Sequence, residues 1–293
     1  MNDQQAIIDN RPPFDPSSIC AVLFDAYGTV LDYGAPHFRA AIATIISNQG
    51  IDVDFEGFHR SWLDAYSPSG VWGEGGPSRI HPYPDEPLNG QLPRWHSQWE
   101  IWRRQFSSAF KEHQVEGSPS QAANFLREEL SYAKPFDDAQ KSIRTLRREG
   151  YVVGLLSNAD DDFLQTALCA AELEFSVVLS SESLRAYKPH RSVFITACAT
   201  ISTPPHQTLY VGDSPIADIG GAHNAGLRTV WVSRRRTDSD TDNIRKSSIS
   251  LKNNQERLAL STEDMMTRLP NPDLTVHSLS EVADLLSFSG VDG

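Results

Sequence analysis

The sequence predicts an α/β protein: a doubly wound parallel sheet, interrupted after its first strand by a helical insertion. Three observations lead there. Beyond residue 135, short apolar segments alternate with amphipathic ones at the lengths of βαβ units. A similar apolar run, "ICAVLFDA" at 19–26, stands alone near the start of the chain. Between them, residues 34–134 carry helical periodicity and no comparable strand signal.

The elements follow in order. Residues 1–17 are acidic and Pro-containing and read as a loose tail without the basic start and apolar stretch of a signal peptide. The run 19–26 is a buried strand. Helices are expected over 37–50, ending on Gly50, and over 55–66, 94–113 and about 119–131. The Pro/Gly-rich stretch 67–93 reads as a loop. After it, helices at 136–150, 162–173, 191–201 and 217–226 alternate with strands at 151–158, 175–182, 208–214 and 228–233. Residues 234–272 form a polar excursion with one helix at 254–268, and 273–288 supply a last strand and helix. The expected organisation is a Rossmann-like core over 18–33 and 135–293, with a helical cap domain over 34–134.

Composition narrows the function classes. With 39% hydrophobic residues in 293, the chain can build one large domain or a core with a smaller companion. A net charge of −12 repels a phosphate backbone, so nucleic acid is not the expected partner. A small anionic substrate remains compatible, because a local cation can oppose the global sign. No apolar run is long enough to cross a bilayer. The three cysteines, Cys20, Cys169 and Cys198, sit in apolar contexts without metal-like spacing, and read as reduced core thiols of a cytoplasmic protein.

Parallel strands deliver their last residues to one edge, where open α/β sheets bind ligands. Here those residues are Asp25, then Ser157 and Asn158, then Asp213, with Lys188 in the loop after the third strand. Asp25 is suited to act as a carboxylate nucleophile. Gly28 permits a tight turn that brings N–H groups near an anion. Thr29, Ser157 and Asn158 offer donors, and Lys188 a positive charge. Asp213 and Asp218 add carboxylates that repel Asp25 unless a cation or proton lies among them. An all-oxygen ligand set suits Mg²⁺. Singly, each residue but Asp25 is more readily a turn former, a helix cap or a surface charge. Their order at successive strand ends is what points to a site.

In that order the segments "DAYGT" (25–29), "SN" (157–158), "YKP" (187–189) and "GDSPIAD" (212–218) resemble the motifs of haloacid dehalogenase superfamily hydrolases with a helical cap inserted after the first strand. The resemblance is close over 18–33 and 135–233 and loose over the cap. It implies that Asp25 forms a covalent intermediate. The backbone carbonyl of Tyr27 would join Asp25, Asp213 and Asp218 around Mg²⁺. Thr29, Ser157 and Lys188 would hold the transferring group.

The resemblance divides at Tyr27. Phosphatases of this superfamily usually carry a second Asp there, which protonates the leaving alcohol. "D-x-Y-G-T" is similar to 2-haloacid dehalogenases, whose halide needs no proton. Those enzymes usually have Ser where this chain has Asp213, Asn at Pro215 and Tyr at Phe194; Arg60 is a candidate counterpart to the arginine that holds their substrate, and reads at least as readily as a surface helix charge. Asp213 and Asp218 therefore favour a Mg²⁺-dependent phosphohydrolase, with dehalogenation as the alternative and a weakly active binding or regulatory protein as a third reading. Trp95, Trp99 and Trp102 are spaced to share one helix face and are expected to pack the cap's own small core. Trp72 and His81, in the 67–93 loop, are candidates for shaping substrate choice. The expected assembly is a monomer or homodimer.

Overall fold

The computed structural model describes residues 11–66, 89–92, 94–234 and 271–288. Its strands are β1 (Ala21–Phe24), β2 (Val152–Ser157), β3 (Val177–Ser180), β4 (Thr208–Gly212), β5 (Arg228–Val232) and β6 (Leu274–Val276). They form one parallel sheet in the order β3-β2-β1-β4-β5-β6. The chain winds outward in both directions from β1, so the switch point of the topology lies beside the strand that carries Asp25.

Alternation along the strands divides the interior between the two faces of the sheet. Val22, Phe24, Leu155, Leu209 and Val211 enter one apolar cluster. Leu23, Leu156 and Tyr210 enter another, with Phe194 and Ala222. Helices α5 (Ala139–Arg148) and α10 (Leu279–Phe288) pack together on one side. On the other, α8 (Arg191–Thr200) packs on α9 (Gly221–Ala225). Two further helices, α6 (Asp161–Ala170) and the single turn α7 (Ser181–Leu184), flank β3 in the chain.

Between β1 and β2 the described residues hold α1 (Ala35–Asn48), α2 (Phe55–Asp64), α3 (Gln98–Glu112) and α4 (Pro119–Ser131). Their apolar faces do not close on themselves. Ile42, Phe58, Trp62, Trp102, Phe106 and Leu126 belong to the same cluster as Phe24 and Val211, and the partly buried Phe38 packs against it. The join is aromatic: Trp102 lies 5.5 Å from Phe163 of α6 and 6.4 Å from Phe38, ring centre to ring centre. The separate cap core expected from the tryptophan spacing is therefore a shared one.

Other expectations shift for local reasons. Helix α3 starts at Gln98 because the Ser97 hydroxyl accepts the Glu100 N–H and stops the helix there, so Trp95 lies outside it. The helix expected at 217–226 is a π-helical turn, Pro215–Gly220, followed by α9. Only Cys198 is a core thiol; Cys20 and Cys169 are exposed, so flanking apolar residues misplace those two side chains. Trp72, His81, nearly all of the 67–93 loop and the 254–268 helix lie outside the described residues. Among the described residues no helix is long and apolar enough to cross a membrane.

Trp102 is 3% exposed and bridges the inserted helices to α6. Trp102→Ala is expected to destabilise the protein by about 3–5 kcal/mol, measured by urea denaturation, through lost burial and the cavity left behind.

Candidate active site

The first turn of the site is built by β1. Pairing with β4 carries through to the Asp25 N–H, which donates to the Val211 carbonyl at 2.9 Å. The chain then folds sharply: Val30 N and Leu31 N both donate to the Ala26 carbonyl at 2.9 Å. Gly28 adopts φ +97°, and a Cβ there would lie 2.3 Å from Asp213 Oδ2. Only glycine meets both demands, the left-handed backbone and the approach of the Asp213 carboxylate. Gly212 plays the matching part on β4, where a Cβ would stand 2.4 Å from Asp218 Cγ. The π-helical turn holds Asp218 in place, with Ser214 N donating to its Oδ2 at 2.9 Å.

Lys188 reaches into this acidic group. Its Nζ donates to Asp25 Oδ1 at 2.6 Å, to Asp218 Oδ1 at 2.6 Å and to the Tyr210 hydroxyl at 2.9 Å. The Tyr210 hydroxyl in turn donates to the Leu156 carbonyl at 3.0 Å. Ser157 Oγ donates to Asp25 Oδ1 at 3.5 Å. Asp25, Lys188 and Asp218 are buried, and Asp213 is half-buried. Oxygens of Asp25, Asp213 and Asp218 all lie within 4.8 Å of one another.

One ammonium cannot balance three carboxylates. Burial pushes Asp25 up to about 6; Lys188 opposes the rise and Asp218 adds to it. Burial, then the charges of Asp25 and Asp218, push Asp213 up to about 8. Burial disfavours the charge on Lys188, but Asp218 and Asp25 outweigh it and hold its pKa well above the ordinary lysine value. Such a cluster takes up either protons or a cation.

The remaining candidates are placed differently. Asn158 turns its amide onto the Lys188 backbone: Nδ2 donates to the Lys188 carbonyl at 3.0 Å, and Lys188 N donates to Oδ1 at 2.9 Å. The Thr29 hydroxyl is buried and without a hydrogen-bond partner. The Tyr27 hydroxyl donates to the Leu130 carbonyl at 3.2 Å, and its ring packs on Tyr33 and Phe163. Burial, then the charge of Asp25, push its pKa far up, so it neither gives nor takes a proton near neutrality. Arg60 is exposed on α2. Tyr210 is the participant that sequence reasoning misses. In "TLYVG" it reads as one more core aromatic, and only the third contact of Lys188 shows otherwise.

A family profile described as haloacid dehalogenase-like hydrolase matches residues 19–226. The chain belongs to that family. Among curated relatives it is 28% identical to (S)-2-haloacid dehalogenase 4A of Burkholderia cepacia, over 74% of this chain and 84% of that one. It is 32% identical to a phosphoserine phosphatase of Thermus thermophilus, over 47% of this chain and 57% of that protein. The family therefore presents both dehalogenases and phosphatases among the relatives of this chain. The L-2-haloacid dehalogenase of Xanthobacter autotrophicus shares the fold with a TM-score of 0.62 at 20% identity, covering 92% of this chain and 98% of its own. A magnesium-bound putative hydrolase of the family from Bacillus subtilis does so with a TM-score of 0.60 at 19% identity, over 92% and 99%.

Raised pKa values set the sign of a pH effect on stability. Asp25 and Asp213 bind protons more tightly folded than unfolded, so the folded chain holds the extra protons between about pH 4 and 8. Their contribution to stability is then full below pH 4 and is lost as pH rises to about 8. Metal-free Asp213→Asn is expected to raise the melting temperature, by more at pH 8 than at pH 5. Millimolar MgCl₂ is expected to stabilise the unmutated protein most at pH 8. Thermal melts at the two pH values, with and without Mg²⁺, measure both effects.

Proposed function

We propose that this hydrolase cleaves a phosphoester of a small anionic metabolite, with Asp25 as nucleophile and Mg²⁺ as cofactor. The observation that carries the reading is the gathering of the Asp25, Asp213 and Asp218 oxygens within 4.8 Å around one ammonium. The donors are all oxygen, carry surplus negative charge and meet a hard divalent cation's needs. Asp25, Asp213, Asp218 and the Tyr27 carbonyl would hold it. When bound, Mg²⁺ neutralises charge on the phosphoryl oxygens and on the nucleophile.

The chain's own groups do the rest. Lys188 and Ser157 hold Asp25 Oδ1 and leave Oδ2 as the attacking oxygen. That oxygen bonds to phosphorus as the bond to the leaving oxygen breaks, and water then hydrolyses the acyl phosphate. The unpartnered Thr29 hydroxyl is a donor to phosphoryl oxygens, while the single Ser157 proton stays on Asp25 Oδ1. Tyr27 supplies no proton to the leaving group, so substrates with acidic leaving groups should react fastest.

A second reading keeps the same nucleophile. Halide departure needs no proton, so Tyr27 fits 2-haloacid dehalogenation, and a relative over most of the chain is a haloacid dehalogenase. Arg60 and Trp72 would then serve substrate binding. Asp213 argues against it above about pH 8, where its ionised carboxylate beside the nucleophile repels an anionic halo-acid.

A panel of phosphoesters and 2-halo-acids, assayed for phosphate and halide with Mg²⁺ or EDTA, separates the two. Phosphate release that requires Mg²⁺ is expected, faster from aryl than from alkyl phosphates. Asp25→Asn should lose it by about 10⁴-fold or more. Metal-independent halide release would instead establish the second reading.

A further inference from the structure

Asp160 and Tyr187 lie outside the acidic cluster, yet each is only about 5% exposed. The Asp160 carboxylate accepts the Gln98 N–H at 2.6 Å and the Trp99 N–H at 3.0 Å. These are first-turn donors of α3, which the helix itself cannot pair. The carboxylate also meets the positive end of that helix. Tyr187 grips His96, two residues before Gln98: its hydroxyl accepts from His96 N at 2.7 Å and donates to the His96 carbonyl.

These contacts close a ring. Asn158 holds the Lys188 backbone through two hydrogen bonds. Tyr187, adjacent to Lys188, holds His96. Gln98 and Trp99 are held by Asp160, two residues from Asn158. The same strap of chain is fastened further along the core. The Arg185 guanidinium sits 3.9 Å from the centre of the Trp95 ring. His190 Nε2 meets the Gly90 carbonyl at 2.9 Å, and the Asn89 and Asn224 amides pair with each other.

From this ring we infer that Asp160 and Tyr187 are positioning residues that clamp the strap entering α3 to the two loops carrying Asn158 and Lys188. The seating of the inserted helices and the placement of the Lys188 ammonium beside Asp25 are thereby set together. A helix cap alone does not call for this arrangement, since Ser97 already caps α3. Burying Asp160 carries a desolvation cost that only its two N–H partners offset. The inference rests on Lys188 acting beside an Asp25 nucleophile, and holds whichever group leaves.

Hydrogen–deuterium exchange of the full chain tests the ring without needing a substrate. Asp160→Ala should speed exchange at 96–100 and also at 186–190, where the Lys188 N–H is held by Asn158, by about tenfold or more. Tyr187→Phe should do the reverse and loosen the Gln98 and Trp99 amides. Asp160→Asn keeps one acceptor and should fall between, while peptides of β4 and β5 stay protected and report intact folding. Loosening confined to 96–100 in Asp160→Ala overturns the coupling. On a substrate the protein turns over, each single variant should lower kcat with KM little changed, and the double variant should cost no more than the larger single. Independent, multiplying losses or a change in KM alone would contradict it. Failure of the hydrolase reading would appear separately, as an inactive unmutated protein with the exchange coupling intact.

Discussion

The arrangement depends on one buried ammonium held between two carboxylates. Lys188 Nζ is 2.6 Å from both Asp25 and Asp218, and none of the three side chains is more than 9% exposed. Charges this close, removed from water, interact far more strongly than surface pairs, and each is expensive to bury alone. Removing the lysine would leave its partners uncompensated, at a cost of about 3–5 kcal/mol. The sheet brings the partners together from three directions. Asp25 follows β1, Asp218 sits on the turn after β4, and Lys188 arrives on the loop beyond β3.

Around that triad the backbone is shaped to admit surplus negative charge. Gly28 and Gly212 lack side chains where Asp213 and Asp218 press against the chain. The consequence is a site short of positive charge, whose carboxyls hold protons well above their usual range. A divalent cation would relieve the same shortage and would leave Asp25 ionised for the proposed attack. An incoming halo-acid carboxylate would add to the repulsion, whereas a phosphate arriving with its cation would not.

Much of this was legible in the sequence because parallel strands share a direction. Asp25, Ser157, Asp213 and Lys188 could be placed at one edge from strand periodicity alone. What the sequence did not disclose were contacts made by residues that look ordinary. Tyr210 reads as core, Asp160 as a helix-start acid, and Asn158 as a donor to substrate when its amide in fact holds the Lys188 backbone. The start of α3 was available in "SQWE", since Ser97 and Glu100 have capping spacing, but the tryptophan periodicity concealed it. Tyr27 shows the opposite limit. Its identity was visible and informative, but only the structure directs its hydroxyl to Leu130 and its ring to Phe163 and Tyr33.

The central claim is that Asp25 accepts a phosphoryl group with a divalent cation bound beside it. Beryllium fluoride tests this without knowledge of the substrate, because it bonds to a carboxylate oxygen as a tetrahedral mimic of an acyl phosphate. Fluorine NMR of the protein with beryllium fluoride should show bound resonances that require Mg²⁺ and vanish in Asp25→Asn. An absence of bound fluoride in the presence of Mg²⁺, or bound resonances that persist without Asp25, would contradict the account.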